Sequence, residues 1–236
     1  NFTLTTQHSG AETAGTSFSV TATARDAEWN TKTDYTGSQS VVWTWSATNA
    51  PSGASPTKPA DASETFTSGA MTKSGFTLVN AGESPTITIT ASTKSGTTSA
   101  VTVNPAGLND FTVVPSTYAP STDSGFTVTL TARDVYQNTK TDYTSAHSVA
   151  WSWATGGSAS LKGSSATLAS DGNQTFTAGV SSGITGFKLV KTETATITAT
   201  ADTKSGTSTT ITAGPGALNN FTLTTQHSGA ETAGTS

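Results

Sequence analysis

Asn1 through Ser17 return unchanged as Asn220 through Ser236, an offset of 220 − 1 = 219 residues. Self-similarity at a fixed period constrains a fold more than any local motif, because each repeat must be a unit that its neighbours can pack against. A looser period runs inside the first. Residues 18–36 read FSVTATARDAEWNTKTDYT and residues 126–144 read FTVTLTARDVYQNTKTDYT. Trp43 and Trp45 recur as Trp151 and Trp153 (151 − 43 = 108), whereas Phe66 recurs as Phe176 (176 − 66 = 110), so the second copy gains two residues in between. The junction Pro105-Ala106-Gly107-Leu108 returns as Pro215-Gly216-Ala217-Leu218. The expected organisation is one domain over 1–107, a homologue over 108–216, and the first strand of a further copy over 217–236. Phe221 and Leu223 then stand where Phe2 and Leu4 stand in the first copy. That last segment needs a partner sheet, either from a chain continuing into the next unit or by donation to a neighbouring subunit.

Alternation of period two identifies the elements. Phe18-Ser19-Val20-Thr21-Ala22-Thr23-Ala24, Phe126 to Ala132, Thr86 to Ala91 and Thr194 to Ala199 place an apolar residue at every second position, the pattern of strands with one buried and one wet face. No stretch carries a 3.6-residue apolar period. Clusters of Gly, Pro, Ser and Asn punctuate the chain every 8–12 residues, as in a β-sandwich. Trp43 and Trp45, like Trp151 and Trp153, lie two apart and so share a strand face with Val41 and Val149. Core aromatics are the expected role for all four rings; the competing role is a row of exposed rings that binds sugars.

Charge limits the partners. Only 11% of residues are charged and the net charge is −4, against about 25% charged in ordinary soluble domains. There is no basic stripe, which speaks against nucleic acid, and no apolar run near the ~18 residues of a membrane span. Cysteine is absent, so neither disulfides nor thiolate metal sites are available. Ser and Thr make up roughly a third of the chain, well above average usage. Their hydroxyls suit solvent-facing strand positions and are also acceptors for O-linked sugars. Asn173 and Asn220, like Asn1, begin the Asn-x-Thr pattern of N-glycosylation. Such a polar, nearly uncharged surface is common in extracellular proteins, and a cell-surface or secreted location is expected.

The units resemble the bacterial immunoglobulin-like (Big/invasin-like) tandem repeats of surface and adhesin proteins. The resemblance lies in Ala24-Arg25-Asp26 to Asn30 followed by Tyr35-Thr36-Gly37, in Ala132-Arg133-Asp134 to Asn138 followed by Tyr143-Thr144, and in Phe66-Thr67 and Phe176-Thr177. It implies tandem antiparallel sandwiches in a linear array, used as spacers or binding modules and without enzymatic activity. The family's turn glycine is replaced by Trp29 and Gln137, so Asn30 and Asn138 are expected to take the left-handed backbone position instead.

Chemistry beyond folding finds little support. His8 and His147 lack counterparts in the other unit, so no triad or histidine zinc site forms. Asp26 with Asp34, and Asp134 with Asp142, are candidates for calcium, which prefers several oxygen ligands. Lys32 and Lys140 stand beside them, and capping of their own turns is the plainer role for Asp26 and Asp134. No cofactor is implied. The expected function is a structural repeat unit of an extracellular filament or stalk that binds copies of itself head to tail, with neighbours touching through Leu108 and Leu218. The alternative is an adhesin or polysaccharide-binding module acting through the divergent loop at 49–62.

Overall fold

The structure, a computed structural model, describes residues 1–224 and 233–234. Every element among them is a strand or a turn. The first unit holds β1 (Phe2–Thr6), β2 (Ala11–Thr13), β3 (Ser17–Ala24), β4 (Gly37–Trp45), β5 (Ala62–Phe66), β6 (Ala70–Thr77), β7 (Ile87–Ala91), β8 (Lys94–Thr97) and β9 (Thr102–Asn104). The second holds β10 (Leu108–Pro115), β11 (Gly125–Asp134), β12 (Ser145–Thr155), β13 (Gly172–Phe176), β14 (Val180–Lys188), β15 (Thr194–Ala201), β16 (Lys204–Thr207) and β17 (Ile211–Thr212).

Each unit is an immunoglobulin-like sandwich. In the first, a sheet in the order β1-β3-β6 faces a sheet in the order β5-β4-β7-β8. In the second, β10-β11-β14 faces β13-β12-β15-β16, with β17 on β15. These pairings are antiparallel; the exceptions are β2 with β9, which run parallel, and the matching parallel bridge between Ser121 and Gly214.

The alternation does what the pattern requires. Phe18, Val20, Ala22 and Ala24 of β3 are buried, as are Phe126, Val128, Leu130 and Ala132 of β11. Trp43 packs edge-on against Phe76 at 5.0 Å, and Trp151 against Phe187 at 4.9 Å. One ring of each Trp pair is interior, not two: Trp45 and Trp153 are half-buried at the margins of their cores. The Nε1–H groups of Trp43 and Trp151 are buried without an acceptor, a cost of about 1–3 kcal/mol that ring burial must offset.

The solvent faces explain much of the threonine. Thr21 meets Thr72 at 2.9 Å, Thr88 meets Thr97 at 2.8 Å, and Thr198 meets Thr207 at 2.8 Å, all hydroxyl to hydroxyl across neighbouring strands. Such cross-strand pairs stabilise a sheet by a few tenths of a kcal/mol to about 1 kcal/mol each. The two residues gained by the second copy fall at the end of β12, where Gly156 and Gly157 both have φ of 71°, and Gly157 lies flat against the Trp153 ring.

First strands seat differently at the two ends of the chain. Phe2 and Leu4 are 5% and 7% exposed on β1. The carbonyl of Phe2 lies so close to Gly96 of β8 that no side chain fits there, and Phe111 crosses Gly206 of β16 in the same way. Phe221 and Leu223 are 80% and 93% exposed, and residues 220–224 form no strand. Their sequence is that of Phe2 and Leu4 on β1. The rest of the segment, 225–232 and 235–236, lies outside the described residues.

Candidate functional site: the joint between the sandwiches

β11 runs two residues further than β3, through Arg133 to Asp134. Because its inward face continues the period-two alternation, Asp134 falls on that face and is fully buried. The chain then turns tightly. Oδ1 of Asp134 accepts from the backbone N–H of Tyr136 at 2.8 Å and of Asn138 at 2.9 Å. Oδ2 accepts from Nδ2 of Asn138 at 2.9 Å and, across the junction, from the backbone N–H of Ala106 at 2.9 Å. A carboxylate taking four N–H groups is satisfied although it lies out of water.

Asn138 completes the joint. It is 2% exposed. Its second Nδ2 hydrogen goes to the Val79 carbonyl at 2.9 Å, and its Oδ1 accepts from the Ala81 N–H at 3.0 Å. Ser52 N–H donates to the Tyr136 carbonyl at 3.0 Å, and the Tyr136 ring lies over Gly15 against the first unit's core. Gly15, with φ of 77°, leaves no room for a side chain under that ring. One five-residue turn of the second sandwich is therefore held by four separate loops of the first.

The matching turn of the first sandwich has the same internal bonds and faces solvent. Oδ1 of Asp26 accepts from Glu28 N–H at 2.9 Å and Asn30 N–H at 2.8 Å, and Oδ2 from Asn30 Nδ2 at 3.1 Å. The Asn30 side chain, chiefly, holds the Asp26 carboxyl below its ordinary range. Among the described residues Asn30 bonds only within this turn, and Trp29 at its tip is 62% exposed. The left-handed position belongs to Trp29 and Gln137, with φ of 64° and 66°, not to Asn30 and Asn138. The asparagines stand outside the left-handed region and donate their amides to the aspartates, and the strain falls at the position of the family's turn glycine.

The four aspartates do not assemble into metal sites. Asp34 takes Lys32 Nζ at 2.8 Å, a contact that lowers its pKa, and Asp142 takes Lys140 Nζ at 2.7 Å. Among the described residues no three His, Asp or Glu side chains converge as a metal would require. Leu108 is half-buried against the second unit's own core and takes no part in the bonds of this joint; Leu218, its equivalent after the second unit, is 75% exposed. The loop at 49–62 enters the joint through Ser52, and Asp61 caps the Trp43 N–H at 2.9 Å, which lowers the Asp61 pKa. Asn173 on edge strand β13 and Asn220 are both exposed.

A cluster that the sequence did not suggest joins Tyr143, His147 and Asp202. Tyr143 Oη donates to Asp202 at 2.7 Å, His147 Nδ1 lies 2.9 Å from the same carboxylate, and the two rings stack at 3.9 Å. Burial, then the Asp202 carboxylate, raises the Tyr143 pKa well above its ordinary value. Tyr35, Gln39 and Ser92 occupy the same places in the first unit and are likewise linked, at 3.2 and 2.9 Å. The shared role is a clamp between strand and turn.

No protein-family model and no curated protein sequence matches the chain. Among solved structures it is similar to Yersinia pseudotuberculosis InvD, at 20% identity and a TM-score of 0.43 over 95% of this chain and 60% of that one. It is also similar to the Escherichia coli adhesin FdeC, at 17% identity and a TM-score of 0.42 over 91% of this chain and 63% of that one. The Yersinia pseudotuberculosis adhesin InvE is a third neighbour, at 16% identity and a TM-score of 0.36 over 90% of this chain and 58% of that one. The chain spans about three fifths of the length of these proteins. Likenesses of this size carry no function across.

Proposed function

We propose that this chain is a structural repeat unit of an extracellular filament, stalk or fibrous surface protein, in which sandwiches follow one another head to tail. The observation that carries the reading is the joint: Asp134 and Asn138 spend their hydrogen bonds on seating one sandwich against its homologue, and the sequence of the first strand recurs at residues 220–236. A buried, fully bonded turn fixes the angle between neighbours, and a contact that does not close on itself propagates as an open array. The low charge and paired threonine faces suit an exposed surface. Glycans on Asn173, Asn220 or the threonine hydroxyls are compatible with their exposure.

An adhesin or polysaccharide-binding role is the second reading. Its sequence support was the tryptophan pairs and the loop at 49–62. Trp43 and Trp151 are interior, and Ser52 of that loop is engaged in the joint. Electron microscopy of native material, with its mass after boiling in detergent, separates the readings. Rods with a regular axial repeat support the filament. Compact particles that bind glycan saturably would overturn it.

A further inference from the structure

The far end of the second sandwich repeats, bond for bond, the end of the first sandwich that receives the Asp134–Asn138 turn. Asp123 N–H donates to the Leu189 carbonyl at 2.7 Å, as Gly15 does to Leu78 at 2.7 Å. Thr122 N–H donates to Gly214 at 2.9 Å, as Ala14 does to Asn104 at 2.9 Å. Gly163 N–H closes on Ser160 at 2.9 Å, as Gly53 does on Ala50 at 2.9 Å. By these correspondences the receiving groups Ser52, Val79, Ala81 and Ala106 map to Lys162, Val190, Thr192 and Gly216. In the second sandwich these residues line an open groove of about 730 Å³.

We infer that this groove is a socket for the Asp26–Asn30 turn of the next copy of the unit, and that it selects that turn over the Asp134–Asn138 turn. The inference rests on the head-to-tail reading and adds which surfaces meet.

Two differences between the sockets carry the selectivity. Lys162 and Lys191 replace Ser52 and Asn80, so the second socket is cationic where the first is neutral. The two turns differ to match: Ala27-Glu28-Trp29 stands where the other has Val135-Tyr136-Gln137. Glu28 takes the place of Tyr136, over Asp123, in a groove whose lining sets Lys162 and Lys191 against that one acid, and Trp29 takes the place of Gln137 at the tip. Opposed charges of this kind set partner choice. The second difference is steric. Asp123 replaces Gly15, on which the Tyr136 ring lies with no room for a side chain. A turn carrying tyrosine collides there; a turn carrying glutamate brings no ring. Asp123 keeps φ of 70°, and Lys188 Nζ holds its carboxylate at 2.9 Å. The two joints are thus of two kinds, and the pattern first–second–first–second is written into the sockets.

The test joins residues 1–219 to a complete second copy and treats this tandem chain with a carbodiimide, which links carboxylates to amines only in direct contact. Mass analysis is expected to find second-copy Glu28 linked to first-copy Lys162 or Lys191. Glu28→Lys in the second copy should lower rigidity of the new joint in solution scattering, and adding Lys162→Glu and Lys191→Glu should restore it. Converting the second-copy turn with Ala27→Val, Glu28→Tyr and Trp29→Gln should loosen the joint by about tenfold in fraction docked, and Asp123→Gly should recover it. Unchanged melting of each sandwich keeps misfolding out of the comparison. A joint that stays rigid in the tyrosine-bearing turn, or links that lie elsewhere, overturns the socket while leaving a filament seen by microscopy intact. Native material without linear arrays overturns the filament, whereas the tandem chain still decides the socket.

Discussion

Asn138→Ala tests the joint most directly, because Asn30→Ala provides a matched control in the same turn. Both substitutions remove an amide that bonds an aspartate and closes the turn. Only Asn138 also bonds Val79 and Ala81 across the joint. Two net hydrogen bonds of about 1 kcal/mol each put the extra cost of Asn138→Ala at about 2 kcal/mol, and more if the Val79 carbonyl and Ala81 N–H stay dry and unpaired. About 2 kcal/mol is roughly a 30-fold change in an equilibrium constant. Urea unfolding followed by tryptophan emission gives the stability difference, and amide exchange at Ala81 reports the joint itself. Ala81 should exchange roughly 30-fold faster in Asn138→Ala and unchanged in Asn30→Ala. Equal costs for the two variants, within about 0.5 kcal/mol, with Ala81 protection unaffected, would refute the claim that Asn138 couples the sandwiches.

Other consequences are as concrete. Trp29→Gly relieves a left-handed backbone and should raise the urea midpoint by an amount worth about 0.5–1 kcal/mol at unchanged m-value, since glycine adopts φ near 64° freely. Trp43→Ala should cost about 3–5 kcal/mol in the same assay, and Trp45→Ala, half-buried, clearly less. Gly96→Ala should destabilise the first sandwich, because the new methyl group meets the Phe2 backbone, and Gly206→Ala should do the same to the second through Phe111. Acid should weaken the fold in a defined direction. Asp26, Asp34 and Asp61 have folded pKa values below the ordinary 3.8, so their contribution is complete above that value and is lost as pH falls through the lowered ones. A thermal-midpoint series should therefore be flat in these groups above about pH 5 and decline below pH 4; a decline already complete at pH 5 would contradict the assignment.

The sandwiches were legible because their signals are local. Every second residue of β3, and of β11 as far as Ala132, is apolar, and the repeat supplies each strand twice. The joint was not, and its chemistry explains why. Val79, Ala81, Ser52 and Ala106 contribute backbone groups, which leave no mark in a residue pattern. Leu108 reads as a junction contact only until the bulge between Leu108 and Asp110 turns it into its own core. Asn30 and Asn138 satisfy the local rule for left-handed residues, but they stand outside that region and bond Asp26 and Asp134 through their amides. Trp29 and Gln137 bear the strain that glycine would have avoided.

The parallel pairing of β2 with β9 decides how a sandwich answers tension. Once β1 has been drawn off β3, the load reaches Ala11–Thr13, which points the same way as Thr102–Asn104 at the exit. Pulling the ends apart drags β2 backward and β9 forward along their shared axis. The bonds from Thr102 N–H to Gly10 and from Ala14 N–H to Asn104, 2.7 and 2.9 Å long, are then sheared together rather than peeled one at a time. In the second sandwich Thr212, Thr122 and Gly214 N–H groups, bonded to Tyr118, Gly214 and Pro120, stand in the same geometry. Single-molecule stretching should show abrupt ruptures at high force. Pro substituted for Ala14, which deletes one sheared bond, should lower the rupture force of the first sandwich and leave the second as it was.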